Sequence, residues 1–165
     1  MKMKKCNKCK STEFKIIERN NTYNVKGNTN IEIQERVMQC SICGEIIFNE
    51  ELEKENLEIL FNKYRIEKKL LGPHEIKAIR EKYDLGQRAF AKILGWGEIT
   101  IHRYENNNLI DETHSKMLEL IKEPQNMRTL LEESKDKIGE TTYKKVNKRL
   151  DLLEQEAIEE GKPII

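Results

Sequence analysis

Two periodicities divide this chain, an alternating one near its start and helical spacing thereafter. In Ile31-Glu-Ile33-Gln-Glu-Arg-Val37-Met-Gln-Cys40 apolar residues alternate with polar ones, which predicts a short strand exposed on one face. Phe14-Lys-Ile-Ile17 and Tyr23-Asn-Val25 are further strand-like patches, and Asn20-Asn21 and Lys26-Gly27-Asn28 read as turns. From Glu50 the pattern changes. Leu52, Leu57, Leu60, Phe61, Tyr64 and Ile66 recur among charges at helical spacing, predicting a helix that ends near Leu71-Gly72-Pro73. Pro73 then suits the first position of a new helix reaching Tyr83, with Ile76, Ile79, Arg80 and Tyr83 inward. A short helix from Gln87 to Leu94 and another from Glu98 to about Asn106 flank Gly95-Trp96-Gly97.

The remainder is helical again. A segment from Thr113 to Ile121 carries Met117, Leu118 and Ile121, and Pro124 opens a helix with Met127, Leu130, Leu131 and Ile138 inward. Gly139 breaks it, and Thr141 or Thr142 can cap a last helix whose inner face holds Tyr143, Val146, Leu150, Leu153 and Ala157. The fold class is therefore α+β, without internal repeats or low-complexity tracts. It comprises a small β-rich module over residues 1–49, a connecting helix over 50–71, an all-α domain over 72–123 and a helical extension over 124–165.

Composition changes this picture only in detail. With 165 residues, 36% charged and 37% hydrophobic, the chain is too polar for one large core and too rich in spaced aliphatics to be disordered. No apolar run approaches the roughly 20 residues of a membrane helix. The opening Met1-Lys-Met-Lys-Lys-Cys6 carries charge with no apolar stretch behind it, which predicts no secretory signal and a soluble, cytoplasmic protein. The net charge of +1 points to no partner by itself. It is unevenly spread, with nine basic against five acidic residues in 1–49 and a balance of −1 in each later block. DNA binding by residues 72–124 would need a local basic face.

All four cysteines lie early, as Cys6-Asn-Lys-Cys9 and Cys40-Ser-Ile-Cys43. Two C-x2-C pairs are what tetrahedral zinc requires, each turn presenting two thiolates to one side of the metal. Gly44 suits the turn that follows the second pair, and Lys10 holds the matching place after the first. Disulfides, a redox pair or unrelated core cysteines are the other uses of such residues. A reducing cytoplasm argues against the first, and the missing βαβ context against the second. Four protein ligands leave no open position, so one structural Zn2+ per chain is expected, on Cys6, Cys9, Cys40 and Cys43. So polar a module could not hold together by burial alone.

The stretch from Leu85 to Glu105 is the most specific in the chain. Ala89 and Ala91 let two helices cross closely, Gly95 suits the turn between them, and Phe90, Ile93, Leu94, Ile101 and Tyr104 face inward. Glu98, Ile99, Thr100, His102 and Arg103 are left on the outer surface of the second helix, where a helix-turn-helix reads base edges. Gln87 is placed for a phosphate or a base, and Arg88 and Lys92 for phosphates. An ordinary three-helix bundle, with Lys92 and Arg103 merely solvated, is the plainer use of the same pattern. His74 and His114 read as surface residues, and no histidine is grouped with a nucleophile or carboxylate in a way that suggests catalysis.

The two motifs stand in one order. Cys6-x2-Cys9 and Cys40-x2-Cys43, followed by Gly72-Pro-His-Glu-Ile-Lys-Ala-Ile-Arg-Glu-Lys-Tyr-Asp-Leu-Gly-Gln87 and Gly95-Trp-Gly-Glu-Ile-Thr-Ile-His-Arg-Tyr-Glu105, resemble the YgiT-type zinc finger/helix-turn-helix proteins, the MqsA-like antitoxins. The resemblance covers about residues 4–121, and it is the combination of finger and Xre-like helix-turn-helix that is specific. It implies a zinc-bound N-terminal domain that sequesters a toxin, and a helix-turn-helix domain that dimerises on a palindromic operator and represses its own operon. Cys6, Cys9, Cys40 and Cys43 match the family's zinc ligands, and Arg103 its DNA-reading arginine. Ile99 stands where the family's prototype has asparagine, and Gly86 replaces a serine cap before Gln87. The tail past about Glu123 is longer than the prototype's and resembles members paired with a SocA-like (Panacea-type) partner.

The resemblance thus implies an antitoxin and autorepressor that is no enzyme. The alternative is a zinc-containing regulator with no toxin. Leu118, Ile121, Leu130, Leu131, Val146, Leu150 and Leu153 offer stripes either for a homodimer interface or for packing within one chain.

Overall fold

A computed structural model describes residues 5–27 and 29–159. Its chain divides into two compact units, one up to Lys68 and one from Lys69, and each is described by itself.

The amino-terminal unit is a three-stranded antiparallel sheet and a helix. Strands β1 (Phe14–Val25) and β2 (Thr29–Cys40) pair along their whole length, from Phe14↔Cys40 to Val25↔Thr29, and β3 (Ile46–Ile47) adds a short third strand beside Met38 and Gln39. The hairpin turns where Lys26 and Gly27 both take positive φ, the backbone that matches strand twist in a tight turn. Asn20-Asn21, expected as a turn, lies inside β1. Asn20 pairs with Gln34, and the Asn21 amide donates to the carboxylate of Glu35 at 3.2 Å, so the strand meets their polar needs without bending.

Alternation in β2 holds from Thr29 to Val37. Thr29, Ile31, Ile33, Glu35 and Val37 are buried, and the helix α1 (Glu50–Lys68) packs against this strand. Glu35 is the polar member of that buried row. Arg19 Nε donates to it at 2.6 Å, and Tyr23 and Asn21 donate as well. Burial opposes its ionisation, yet the Tyr23 and Arg19 hydrogen bonds hold the carboxyl below its ordinary range. Helix α1 buries Leu52, Asn56, Leu60, Tyr64 and Arg65, whereas Leu57 and Ile66, which belong to its helical apolar spacing, are exposed. The burial stripe follows Asn56 because its side-chain amide bonds the backbone of Arg36 in both directions, at 3.0 and 2.9 Å. That pair turns the helix so that Leu57 points outward.

Among the described residues the carboxy-terminal unit has only helical elements: α2 (Pro73–Lys82), α3 (Gln87–Ile93), α4 (Thr100–Glu105), α5 (Glu112–Leu120), α6 (Pro124–Glu133), a 3₁₀ turn (Lys135–Lys137) and α7 (Glu140–Glu159). One core runs through it, from Ile76, Ile79 and Tyr83 by way of Phe90 and Ile101 to Leu118, Leu131 and Leu150. Helix α3 ends at Ile93, ahead of Gly95 (φ 70°), where the Trp96 and Gly95 amides turn back onto the carbonyls of Ala91 and Lys92. Helix α4 begins at Thr100 and not at Glu98, because the Thr100 amide closes a three-residue turn on Gly97 O. Helix α7 starts directly after Gly139, so Thr141 and Thr142 lie inside it and are not its cap.

The stripes offered for pairing two chains are mostly spent within one. Leu118, Ile121, Leu131, Val146 and Leu150 are buried in this core, with Leu130 and Leu153 packed against it. Arg128 binds α6 to α7, donating to Asn147, Asp151 and Glu154 at 2.7–2.9 Å.

A buried ion pair crosses the core. Arg80 of α2 donates from Nε and Nη2 to Glu105 at the end of α4 (2.6 and 3.0 Å), and from Nη1 to Leu85 O at 2.6 Å. Removing one partner strands the other charge, so Glu105→Ala should lower stability by about 3–5 kcal/mol in chemical denaturation. Burial raises the Glu105 pKa, but the hydrogen bonds from Arg80 and Gln87 outweigh it and leave the pKa below 4.5. The pair's contribution is therefore complete above the unfolded value and is lost as pH falls through the lower folded one. Glu105→Gln should flatten the acid limb of the stability–pH curve.

Candidate metal centre and nucleic-acid interface

The two C-x2-C turns are built alike. After Cys6-Asn-Lys-Cys9, Lys10 takes φ 64°, its amide bonds Cys6 O at 2.9 Å, and the Cys6 amide bonds Ser11 O at 2.8 Å. After Cys40-Ser-Ile-Cys43, Gly44 takes φ 76°, its amide bonds Cys40 O at 3.0 Å, and the Cys40 amide bonds Glu45 O at 2.8 Å. Lys10 thus adopts the left-handed backbone that glycine takes more cheaply, at a cost of about 1–2 kcal/mol. Each turn also directs amides at its first sulfur: Lys8 and Cys9 toward Cys6, Ile42 and Cys43 toward Cys40.

The β1–β2 pairing brings the turns together. Cys6 and Cys43 sulfurs lie 3.5 Å apart, as do those of Cys9 and Cys40, and all four fall within 4.8 Å of one another. Four thiolates at 2.3 Å from a zinc ion would be separated by about 3.8 Å, so the cluster fits one Zn2+. All four cysteines are free of disulfides. The Cys43 amide, helped by that of Ile42 and by neighbouring sulfurs, brings Cys40 down to about 6 against the pull of burial. At Cys43 the Glu45 amide lowers the pKa, but burial and the other three sulfurs push it up to about 12. Thiolates so close repel, and a divalent cation relieves that repulsion. Bound by all four, zinc would supply rigidity and not catalysis.

On the helix-turn-helix, Glu98, Ile99, His102 and Arg103 are exposed and Thr100 is half-buried, while Ile101 is fully buried beneath them. The structure brings Gln87, Arg88, Glu98, Ile99 and His102 around one open groove. The Glu98 carboxylate lies 3.6 Å from Lys92 Nζ and 3.9 Å from Arg88 Nε, all well exposed. Gln87 is engaged at both ends: its amide nitrogen donates to Glu105 at 2.7 Å, and its oxygen lies 3.3 Å from His102 Nδ1. Gly86 sits at the start of α3 with no side-chain cap.

Sequence reasoning missed two supports of this surface. One is Glu105, whose carboxylate joins Arg80 to Gln87. The other is His114, expected at the surface, which stacks on Trp96 with ring centroids 3.8 Å apart. Its Nδ1 lies 2.8 Å from the Tyr104 hydroxyl and 3.0 Å from Asp111. Trp96 of the turn, Tyr104 of α4 and the start of α5 are thereby joined. Asp111 ahead of His114 carried a legible cap signal, since its carboxylate accepts from the His114 amide; the stacking itself left none.

A four-cysteine cluster on a β-hairpin, followed by a helix-turn-helix fold, defines a metal-binding protein of two modules. The model of the antitoxin component of bacterial toxin–antitoxin systems, MqsA, matches residues 3–135, and the chain belongs to that family. A search of curated proteins returned no match. Membership makes the chain an antitoxin with a toxin as its partner. Among the described residues, no helix is long and apolar enough to cross a membrane.

Elemental analysis of freshly purified protein should return one zinc per chain. Cys40→Ser, or a strong chelator, should unfold the amino-terminal unit while the helical unit keeps its thermal transition, because the binding energy of such a site is folding energy. Metal-free protein with an intact β-sheet signal would overturn this expectation.

Proposed function

We propose that this antitoxin works through two surfaces: the four-cysteine module of residues 1–49 holds the cognate protein toxin, and the helix-turn-helix represses the chain's own operon in the cytoplasm. Cys6, Cys9, Cys40 and Cys43 are the zinc ligands in this reading. Ile99, Thr100, His102 and Arg103 meet base edges, with Gln87 and Glu98 beside them, and Arg88 and Lys92 meet phosphates. The observation that carries the DNA reading is the sidedness of α4, with Ile101 closed into the core and Ile99, His102 and Arg103 exposed. The toxin reading is supported by an apolar row across the module's sheet. Ile16, Met38 and Ile47 share one register on adjacent strands, and Ile16 is 52% exposed.

A single helix-turn-helix reads few base pairs, so the operator is a palindrome bound by a homodimer with half-sites about 34 Å apart. With most apolar stripes spent inside the chain, pairing falls to residues left outside the core, such as Leu120 and Leu152. Light scattering should give twice the 19.5 kDa chain mass; the monomer mass with and without DNA would rule the dimer out.

Arg103 can grip the O6 and N7 of a guanine with its planar fork. Arg103→Ala should weaken operator binding by about 1–3 kcal/mol per half-site and flatten the preference at one base pair. Lys92→Ala should weaken all sequences alike and lower the salt slope by about one. Titration of both variants against operator and scrambled duplex separates the two roles. Equal loss on both duplexes for Arg103→Ala would make it a phosphate clamp. Full toxin binding by the same variant is expected if the two surfaces act separately.

A further inference from the structure

Helix α7 lies beyond residue 135, where the family match stops. Its charges are segregated: Lys144, Lys145, Lys148 and Arg149 stand in its first half, and residues 150–159 hold four carboxylates and no cation. Helical stability does not explain this order. Lys144/Lys148 and Lys145/Arg149 are like-charge pairs at i,i+4, which destabilise a helix. The acidic half sits at the negative end of the helix dipole, which favours cations.

The basic half is held beside the start of the helix-turn-helix. Lys145 Nζ donates to Asp84 O at 2.8 Å, and Arg149 Nε to Lys82 O at 3.0 Å, at the loop joining α2 to α3. Asp84 precedes Gln87 by three residues, at most about 11 Å of chain. The first turn of α3 is where this type of domain meets the DNA backbone. Lys144, Lys145 and Lys148 are exposed there. Glu140 reaches Lys144 at 2.7 Å, but both side chains are more than 70% exposed, so water and salt screen the pair.

From this placement we infer that the basic face of α7 is a second DNA-backbone contact, which extends the helix-turn-helix footprint onto flanking phosphates. The inference rests on the DNA-binding reading above. Lys144 and Lys148 meet phosphates, and Lys145 and Arg149 anchor the helix to the α2–α3 loop. The contact is sequence-independent, so it adds affinity and salt dependence without adding base preference.

The test is a salt titration of the full zinc-loaded chain on a random-sequence duplex, followed by fluorescence anisotropy. Lys144→Gln/Lys148→Gln leaves the Lys145 anchor in place and should keep the wild-type melting temperature. It should lower the slope of log K against log [NaCl] by about two, at 0.9 per phosphate, with an affinity loss of at least about tenfold near 0.15 M salt. The charge-matched control Lys54→Gln/Lys116→Gln, at exposed positions of α1 and α5, should leave the slope unchanged. If the Lys144/Lys148 variant keeps the wild-type slope while Lys92→Gln lowers it, the helix-turn-helix binds DNA and the inference about α7 is wrong. An equal loss in the control reduces the effect to net charge and also overturns it. Weakened toxin capture with unchanged DNA binding would make α7 a protein-docking surface instead. Absence of DNA binding by the wild type would remove the DNA reading itself.

Discussion

Thirty residues separate Cys9 from Cys40, and their turns can meet only if the hairpin between them pairs along its full length. The pairing of Phe14 with Cys40 sets the sulfurs 3.5 Å apart, and a slip of one residue would turn every side chain of β2 to the opposite face. Register is protected from both sides of the strand. Arg19, Asn21 and Tyr23 converge on Glu35 in one pairing only, and Asn56 grips the backbone of Arg36 from α1. A buried carboxylate adds little net stability, but it penalises every register that leaves it unpaired. The metal site and the polar network thus specify the same alignment.

In the helical unit the comparable constraint is the Arg80–Glu105 pair. It fastens the end of α4 to α2, and through Gln87 it reaches the first residue of α3. The groove between Gln87 and Ile99 therefore has a wall whose side chains are already hydrogen-bonded before any ligand arrives. Such preorganisation reduces the ordering cost of binding. The Trp96–His114–Tyr104 stack does the same for the opposite end of the turn. Helix α6, near the end of the family match, and α7, beyond it, complete one core with the helix-turn-helix, through Met127, Leu131, Val146 and Leu150.

Much of this was legible in residue order. Two C-x2-C pairs, the inward set Phe90, Ile93, Leu94, Ile101 and Tyr104, and the break at Gly95 each depend on contacts within a few residues, where spacing alone dictates geometry. The inner stripe of α2, Ile76, Ile79, Arg80 and Tyr83, was equally readable, because a 3.6-residue period exposes it directly. Asn20-Asn21 misled because turn propensity is weak against twelve residues of ladder. Leu57 misled because a buried asparagine, which hydropathy counts as polar, took the inward place.

Sequence by itself thus determined the order of elements, the four clustered cysteines and the sidedness of the helices from α2 onward. Tertiary structure alone decided what each buried face meets. Glu35, Asn56 and Glu105 look like surface residues in the chain, and each is buried or nearly so because a partner at least 16 residues away satisfies it. The apolar stripes of α5, α6 and α7 were equally suited to a second chain or to their own. A period shows that a face must leave water; only the fold shows which surface covers it, because hydrophobic burial is non-directional and any apolar surface of the right shape will serve.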